Sequence, residues 1–267
     1  MRYPTVLIGL VLVASAMAIR PILAQDSAAA EGEAIRVGQP LPRFDRLRPG
    51  TSRYLRYAVR ADRRTIIDIW TRTIAFESDS ATGTRRLHIT QVWEGSQSER
   101  RLDSWFEMGT FRPLSHRTSL NNATTANVAG VLFTPERVRG DGSVTANSLA
   151  ALDVATPAGT FNFETDMEMM STLPWREGYA TRINFYHPGG GAPQDHVVRV
   201  TGSEPVMLGG RPVDCWVVTL DYGRGATGRF WIAKDSQTVL KVEQRTPGQP
   251  TLYKVLLPSE GSAAGAT

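Results

Sequence analysis

The chain has 267 residues, with 30 lysine or arginine residues against 26 aspartate or glutamate residues and a formal net charge of +4. The basic residues are scattered among acidic ones along the sequence, which excludes the concentrated positive face of a nucleic-acid-binding protein. Cys215 is the sole cysteine, so no internal disulfide can form and a hydrophobic core must stabilise the fold.

The first 24 residues have the layout of a secretory signal. Arg2 precedes an apolar run at residues 5–19, and small residues follow it, with cleavage expected after Ala24 or alternatively after Ala18. The run is shorter than the ~20 residues that span a bilayer, which favours a cleaved signal over an uncleaved anchor. No cysteine follows the signal for lipid attachment. We therefore expect a periplasmic or secreted protein with no transmembrane span in the mature chain.

The remaining sequence predicts one globular unit with short extensions. Residues 25–50 lack a sustained period and predict a flexible N-terminal lead, and residues 259–267 predict a disordered tail. Between them, residues 51–258 predict a single β-rich domain, because short alternating stretches separated by turn residues favour an antiparallel meander over crossover helices. The predicted strands of its first half are residues 53–60, 65–74, 85–93, 102–108, 111–120 and 128–133.

One predicted helix, residues 163–173, interrupts the strands. Thr165 and Glu168 stand in the S/T-x-x-E arrangement, in which each side chain satisfies a free backbone donor at a helix start. Met167 and Met170 lie on one side of this helix. Methionines adapt to irregular apolar shapes and so suit a variable ligand, although filling of the core is the simpler interpretation.

The last part of the domain, residues 196–257, predicts a run of antiparallel strands. Gly209-Gly210 marks a tight hairpin, because glycine permits the positive φ angles that such a turn needs. The strand that contains Trp216 is apolar on both faces, so we expect it to be covered on both sides. Leu240 and Val242 alternate with charged residues in a later strand, which indicates a sheet with one buried face.

The sequence contains no recognised catalytic or metal-binding motif. His187, His196 and Asp195 flank a Gly-Pro loop, but their spacing matches no known ligand pattern. Ser203 could join His196 and Asp195 in a hydrolytic set, yet the G-x-S-x-G turn of such enzymes is missing. Cys215 lies within a predicted strand and is expected to be a small buried hydrophobic residue. We therefore expect no catalytic residues, no metal and no cofactor.

Several segments resemble a family of exported bacterial proteins of unknown function. They are PVDCWVVTLDY, TGRFWIAKDSQTVLKVE, TLYKVLL, DSWFEMGTFRPLSHR and LPWREGYATRINFY, and the likeness extends over residues 53–257. That family looks similar in architecture to the periplasmic lipoprotein carriers of the LolA/LolB type. The resemblance implies a mainly β fold: a strongly curved antiparallel sheet, or incomplete barrel, with one or a few short helices on its concave face. In the carriers this cavity holds acyl chains.

The resemblance also implies a site and a function. The predicted helix would lie across the concave face, and its methionines would close an apolar cavity. The ligand-binding residues expected on this basis are Met167, Met170, Trp216, Leu220, Trp231, Leu240 and Val242. The expected function is a non-catalytic envelope protein that binds a lipid, an acyl chain or an acylated protein. The alternatives are a structural or interaction module with a self-filled core, which binds an envelope protein at an exposed edge strand, and an exported hydrolase acting on lipid or glycan.

Overall fold

The computed structural model describes residues 32–80, 82–95, 98–122 and 126–259. Outside these ranges lie the predicted signal, residues 25–31 of the predicted lead and residues 260–267 of the predicted tail. Within them the chain forms sixteen strands and one short α-helix, as follows: β1 (Ala34–Ile35), β2 (Gly50–Arg60), β3 (Arg63–Ser78), β4 (Arg85–Glu94), β5 (Ser98–Glu107), β6 (Pro113–Asn122), β7 (Ala126–Phe133), β8 (Arg137–Gly140), β9 (Asp153–Ala155), β10 (Phe161–Asn162), α1 (Asp166–Met170), β11 (Ala180–Tyr186), β12 (Gln194–Leu208), β13 (Arg211–Gly223), β14 (Ala226–Ala233), β15 (Val239–Arg245) and β16 (Thr251–Leu256).

The strands form one large sheet built from two antiparallel meanders. One runs from β2 to β9 and the other from β11 to β16, and β16 pairs with β2 to join them. β1 and β10 both pair in parallel with β11, along the edge of β11 that faces away from β12. The predicted mainly β fold with a curved antiparallel sheet is therefore confirmed, and the meander follows from the short turns between alternating stretches.

The sheet curves into an incomplete barrel. Register shifts occur in several pairs of neighbouring strands, and such bulges increase the local twist and bend of a sheet. The curvature brings β11 and β10 towards β6 and β7 at the far side of the sheet. The Asn162 side chain lies 3.1 Å from Nδ1 of His116, and the rings of Phe133 and Tyr186 meet at 6.3 Å.

The helix α1 lies inside this barrel. All five of its residues, Asp166–Met170, are buried, and its three methionines are at most 2% exposed. The predicted helix is shortened here, because Phe163–Thr165 form a 3₁₀ turn capped by the side chain of Asn162. The expected capping pair of Thr165 and Glu168 does not form. α1 is thus part of the hydrophobic core and does not lie on the surface of the barrel.

The N-terminal residues from Gly32 also pack on the barrel. β1 pairs with β11, and Leu41 and Leu47 belong to the main core at 6% and 3% exposure. The backbone N–H of Leu41 donates to the carbonyl of Gly109 at 2.9 Å. The sequence predicted a flexible lead here because the few apolar residues of this segment show no period.

Candidate functional site

The residues expected to line an acyl cavity divide between two faces of the sheet. Met167, Met170, Leu220 and Val242 meet in the main core, and Trp216 packs at its margin. The methionines therefore contact the walls of the barrel directly. This arrangement corresponds to core filling, the simpler of the two interpretations of the methionine pattern.

Trp231 and Leu240 lie on the outer face of the sheet, which corrects the sequence-based assignment. They form a smaller cluster with Cys215, covered by side chains of the hairpin between β12 and β13. Trp231 stands between two inward-facing residues of β14 and so points outward. Leu240 is displaced by a bulge, since the pairing shifts between Trp231 and the next residue of β14. The expectation that β13 is covered on both sides is confirmed by these two clusters.

A buried ion pair fixes α1 to the wall of the barrel. Nε of Arg72, on β3, donates to Oε1 of Glu168 at 2.6 Å. Nη2 of the same arginine donates to the other carboxylate oxygen, Oε2. Burial alone would lower the pKa of Arg72, but the Glu168 carboxylate outweighs it and raises that pKa above its usual value. Gln91 binds the same arginine and donates to the carbonyl of Glu164 at 2.6 Å. A cleft of about 280 Å³ reaches this ion pair beside Met167.

A group of aromatic and cationic side chains lies next to this ion pair, on the inner face of β2 to β5 and β16. The rings of Trp70 and Trp93 meet edge to face, with centroids 5.5 Å apart. Trp93 has the guanidinium groups of Arg56 and Arg100 at 4.2 and 4.4 Å from its ring centre. Trp70 has the charged groups of Arg72 and Lys254 at 4.2 and 4.6 Å, and these distances favour cation–π attraction. We call this group the arginine–tryptophan cluster; its members are Trp70, Trp93, Arg56, Arg72, Arg100 and Lys254.

The arginines of the cluster have carboxylate partners. Nε of Arg56 donates to Asp68 at 2.6 Å, and Arg100 lies 3.4 Å from a carboxylate oxygen of Glu164. Arg72 is held by α1, as described above. Each of these positive charges is therefore compensated locally, as partly or fully buried charges generally are.

Lys254 is different. Its ammonium group lies 4.6 Å from the centre of the Trp70 ring, and it has no hydrogen bond or ion pair with any described residue. Burial lowers the pKa of this lysine; the Asp166 carboxylate opposes the shift, while Arg72 and Arg56 add to it. The cluster thus contains one cation without a partner of its own.

The beginning of β3 projects past its neighbour. β3 pairs with β2 from Arg63 onwards but with β4 only from Ile69. Residues 63–68, which we call the β3 edge, therefore have a strand on one side only within the described ranges. Ile66 and Ile67 on this edge are 66% and 43% exposed, unusually high values for large apolar side chains.

The surroundings of the β3 edge are basic. Arg60, Arg63 and Arg64 are exposed around the turn between β2 and β3, with Asp62 among them. The Arg64 guanidinium lies 4.6 Å from the ring of Tyr57. The edge thus combines exposed apolar side chains with a local excess of positive charge.

The histidine and serine candidates do not form a catalytic arrangement. The Ser203 hydroxyl donates to a backbone carbonyl of β13, and Nδ1 of His196 lies 2.8 Å from another carbonyl of that strand. Asp195 accepts from the amide of Asn184 at 2.8 Å. In the described ranges, no group of three or more histidine, cysteine, aspartate or glutamate side chains is placed to hold a metal ion.

Sequence analysis missed both the cluster and the β3 edge. The signal for the cluster was present: Asp68, Trp70 and Arg72 recur at every second position and so share one face. An arginine beside a tryptophan in a strand suggests a solvated face, because the burying partner, Glu168, is distant in sequence. The β3 edge depends on the difference in length between two strands, and strand ends are poorly marked by alternation.

These features define the class of protein: an incomplete antiparallel β-barrel whose interior is filled by its own central helix. The chain belongs to the family described as protein of unknown function (DUF3108), whose profile matches residues 56–253. This match confirms the predicted membership of a family of unknown function. It contains nothing specific to the LolA/LolB type of carrier, so that likeness stays a prediction.

A solved structure is also similar to this chain. It is the crystal structure of a β-barrel-like protein of domain of unknown function DUF1849 from Brucella abortus, with a TM-score of 0.47 and 11% identity over 79% of this chain and 97% of that chain. No curated protein matches the chain. None of the helices in the described ranges has the length and apolar character needed to cross a membrane.

Proposed function

We propose that this protein is an exported, non-catalytic interaction module of the cell envelope that binds an extended segment of a partner protein at the β3 edge. The proposal rests on the unpaired β3 edge with its two exposed isoleucines, Ile66 and Ile67. Export follows from the predicted signal at residues 1–24.

An unpaired strand presents a row of backbone donors and acceptors that a second strand can satisfy. In strand addition these backbone bonds supply affinity, and alternating side-chain contacts supply specificity. Ile66 pairs with Tyr57, and the register shifts before Asp68, so Ile67 is the extra residue of a bulge. An added strand would therefore find two adjacent exposed apolar side chains beside the free backbone groups.

The charge around the edge indicates the chemistry of the partner. The exposed charged residues here are three arginines, Arg60, Arg63 and Arg64, and one acid, Asp62, so the edge has a net positive charge. An extended segment that alternates acidic and apolar residues would complement both this charge and the exposed isoleucines. A membrane surface is less suitable, because lipid cannot satisfy the free backbone groups of an open strand edge.

The interior geometry favours this module over a carrier of acyl chains. A lipid in the barrel would have to displace α1, whose methionines are buried and whose Glu168 is paired with Arg72. Separating a buried ion pair costs about 3–5 kcal/mol, to which the lost packing of the methionines adds. The likeness to lipoprotein carriers implies that a lipid or acylated protein binds inside the barrel. Such a ligand would have to offset the free energy of displacing α1 through its own contacts.

A synthetic strand tests the proposal. The probe is a fluorescent peptide of alternating valine and glutamate, and its binding to the full mature protein is followed by anisotropy. We expect binding to the wild type, loss in Ile66→Lys, and retention in the control Met207→Lys, since Met207 is equally exposed at 64% on another hairpin. The same peptide with alternate backbone nitrogens methylated should not bind.

Two results would overturn the proposal. The first is equal binding of the methylated and unmethylated peptides, which would exclude backbone pairing. The second is a wild-type protein that ignores the peptide but sediments with anionic phospholipid vesicles, or yields stoichiometric lipid on extraction of detergent-free material. Either lipid result would revive the carrier interpretation.

A further inference from the structure

Two hydrogen-bond donors of the arginine–tryptophan cluster have no acceptor within the described residues. One is the ammonium group of Lys254, and the other is the indole Nε1 of Trp93, which is fully buried. Buried donors in folded proteins are almost always paired, so the Trp93 indole requires an explanation, and the partly exposed Lys254 is the cation of the same cluster without a carboxylate partner. Neither donor belongs to the β3 edge, and the inference drawn from them is independent of the proposed function.

Both donors are arranged around the same ring. The Lys254 ammonium lies 4.6 Å from the centre of Trp70, and the Trp93 ring lies 5.5 Å from it. Arg56 faces both tryptophans, at 4.2 Å from Trp93 and 5.7 Å from Trp70, and is opposite Lys254 in the strand register. The side chains of Lys254 and Trp93 therefore both lie against Trp70 at the inner surface of the sheet.

The cationic side chains of the cluster differ in whether they have a carboxylate partner. Arg56, Arg72 and Arg100 are each paired with a carboxylate, whereas Lys254 has no ion-pair partner within 4.0 Å among the described residues. Asp166 is the nearby carboxylate that acts on Lys254 electrostatically, but it does not form an ion pair with it. An acceptor with a negative charge would satisfy both the lysine and the indole.

We propose that the arginine–tryptophan cluster binds a small oxyanion, a phosphate or carboxylate group, through Lys254 and Trp93. Lysine supplies a point charge with three donors and the indole supplies one directed donor, a combination suited to an oxygen-rich anion. Arg56 contributes positive potential beside the anion while it remains paired with Asp68. Asp166 repels the anion and limits its affinity.

The indole N–H gives a direct measurement. The protein has six tryptophans, so its ¹⁵N-labelled form has six indole signals, and the Trp93 signal is assigned by its loss in Trp93→Phe. Inorganic phosphate and acetate are titrated separately at constant ionic strength. We expect a saturable shift of the Trp93 signal with at least one of the two anions.

Two charge variants should act in opposite directions. Lys254→Met should weaken binding about tenfold or more, through the loss of a charge-assisted hydrogen bond. Asp166→Asn, which keeps the shape and the acceptor oxygen of that side chain, should strengthen binding about threefold by removing a repulsive charge. The matched control is Lys234→Met, because Lys234 also lies over a tryptophan, 4.3 Å from Trp216, and should leave binding unchanged.

The inference is overturned if neither anion moves the Trp93 signal, or if Lys254→Met binds as tightly as the wild type. A folded Asp166→Asn protein that binds no better than the wild type would also contradict it. A merely structural role of the cluster would make both variants less stable and could not produce opposite changes in anion affinity.

Discussion

Arg72 and Glu168 are 96 residues apart in the chain and meet inside the barrel, where their side chains are 2% and 6% exposed. This ion pair joins the central helix to the second strand of the first meander. Because the neighbouring Gln91 binds both Arg72 and the backbone of the turn before α1, the helix is held by a connected polar network as well as by packing.

Removal of one member of this pair should destabilise the protein strongly. Arg72→Met leaves Glu168 buried without its counter-charge, and we expect the free energy of unfolding to fall by about 3–5 kcal/mol, measured by urea denaturation. The double variant Arg72→Met with Glu168→Met removes both charges and should recover much of this loss. The exposed pair of Arg101 and Glu99 is the control, and Arg101→Met should leave the midpoint unchanged. A single variant as stable as the wild type would show that α1 is not held by this pair.

The methionines of α1 should behave as core residues. Met170→Ala creates a cavity in a fully buried site, so we expect a loss of about 2–5 kcal/mol in the free energy of unfolding. Met207→Ala, at an exposed position, should change it by less than about 0.5 kcal/mol. A stable Met170→Ala protein with altered binding of a fluorescent fatty acid would instead identify α1 as a lid over a lipid cavity.

His88 should make stability depend on pH. Its Nδ1 lies 2.9 Å from Glu77 and its Nε2 lies 2.9 Å from Asp103, and its ring stacks on Trp105 with centroids 3.9 Å apart. Burial alone would lower the pKa of His88, but hydrogen bonds to Asp103 and Glu77 outweigh it and raise that pKa above 6.5. Its stabilising contribution is therefore complete below pH 6.5 and is lost as the pH rises through the raised value.

The comparison of wild type with His88→Gln tests this dependence. Their difference in free energy of unfolding, measured in urea from pH 6 upwards, should shrink as the pH increases. His187→Gln is the control, because burial lowers the pKa of His187, so any pH dependence of its contribution has the opposite sign. A difference between wild type and His88→Gln that stays constant over the range would contradict the assignment.

Alternation in the sequence was sufficient to predict the long strands of both meanders, because each of them has one face towards the core. It did not predict the short strands β1, β8, β9 and β10. It put Trp216 and Leu220 on the same face of their strand, and both lie against the main core. It failed at Leu240, since a bulge adds one residue and reverses the face of the residues beyond it. Whether a bulge forms depends on the paired strand, which local alternation does not contain.

The interior was less predictable than the strands. The sequence indicated a short helix near Met167 and favoured core filling by its methionines, whereas the resemblance implied an apolar cavity beneath it. The position of α1 depends on contacts with strands far away in the chain, such as that between Glu168 and Arg72. For the same reason the arginine–tryptophan cluster could not be assembled from local patterns.

The pairing of β16 with β2 has a consequence for biogenesis. Tyr54 lies opposite Leu256, so the seam between the two meanders closes only when a segment near the end of the described sequence reaches one near its beginning. Loop closure over such a distance makes this step slow compared with formation of the local hairpins. An exported chain of this fold would cross the membrane before the two meanders have paired. The barrel would form only after β16 has reached the far side and can pair with β2.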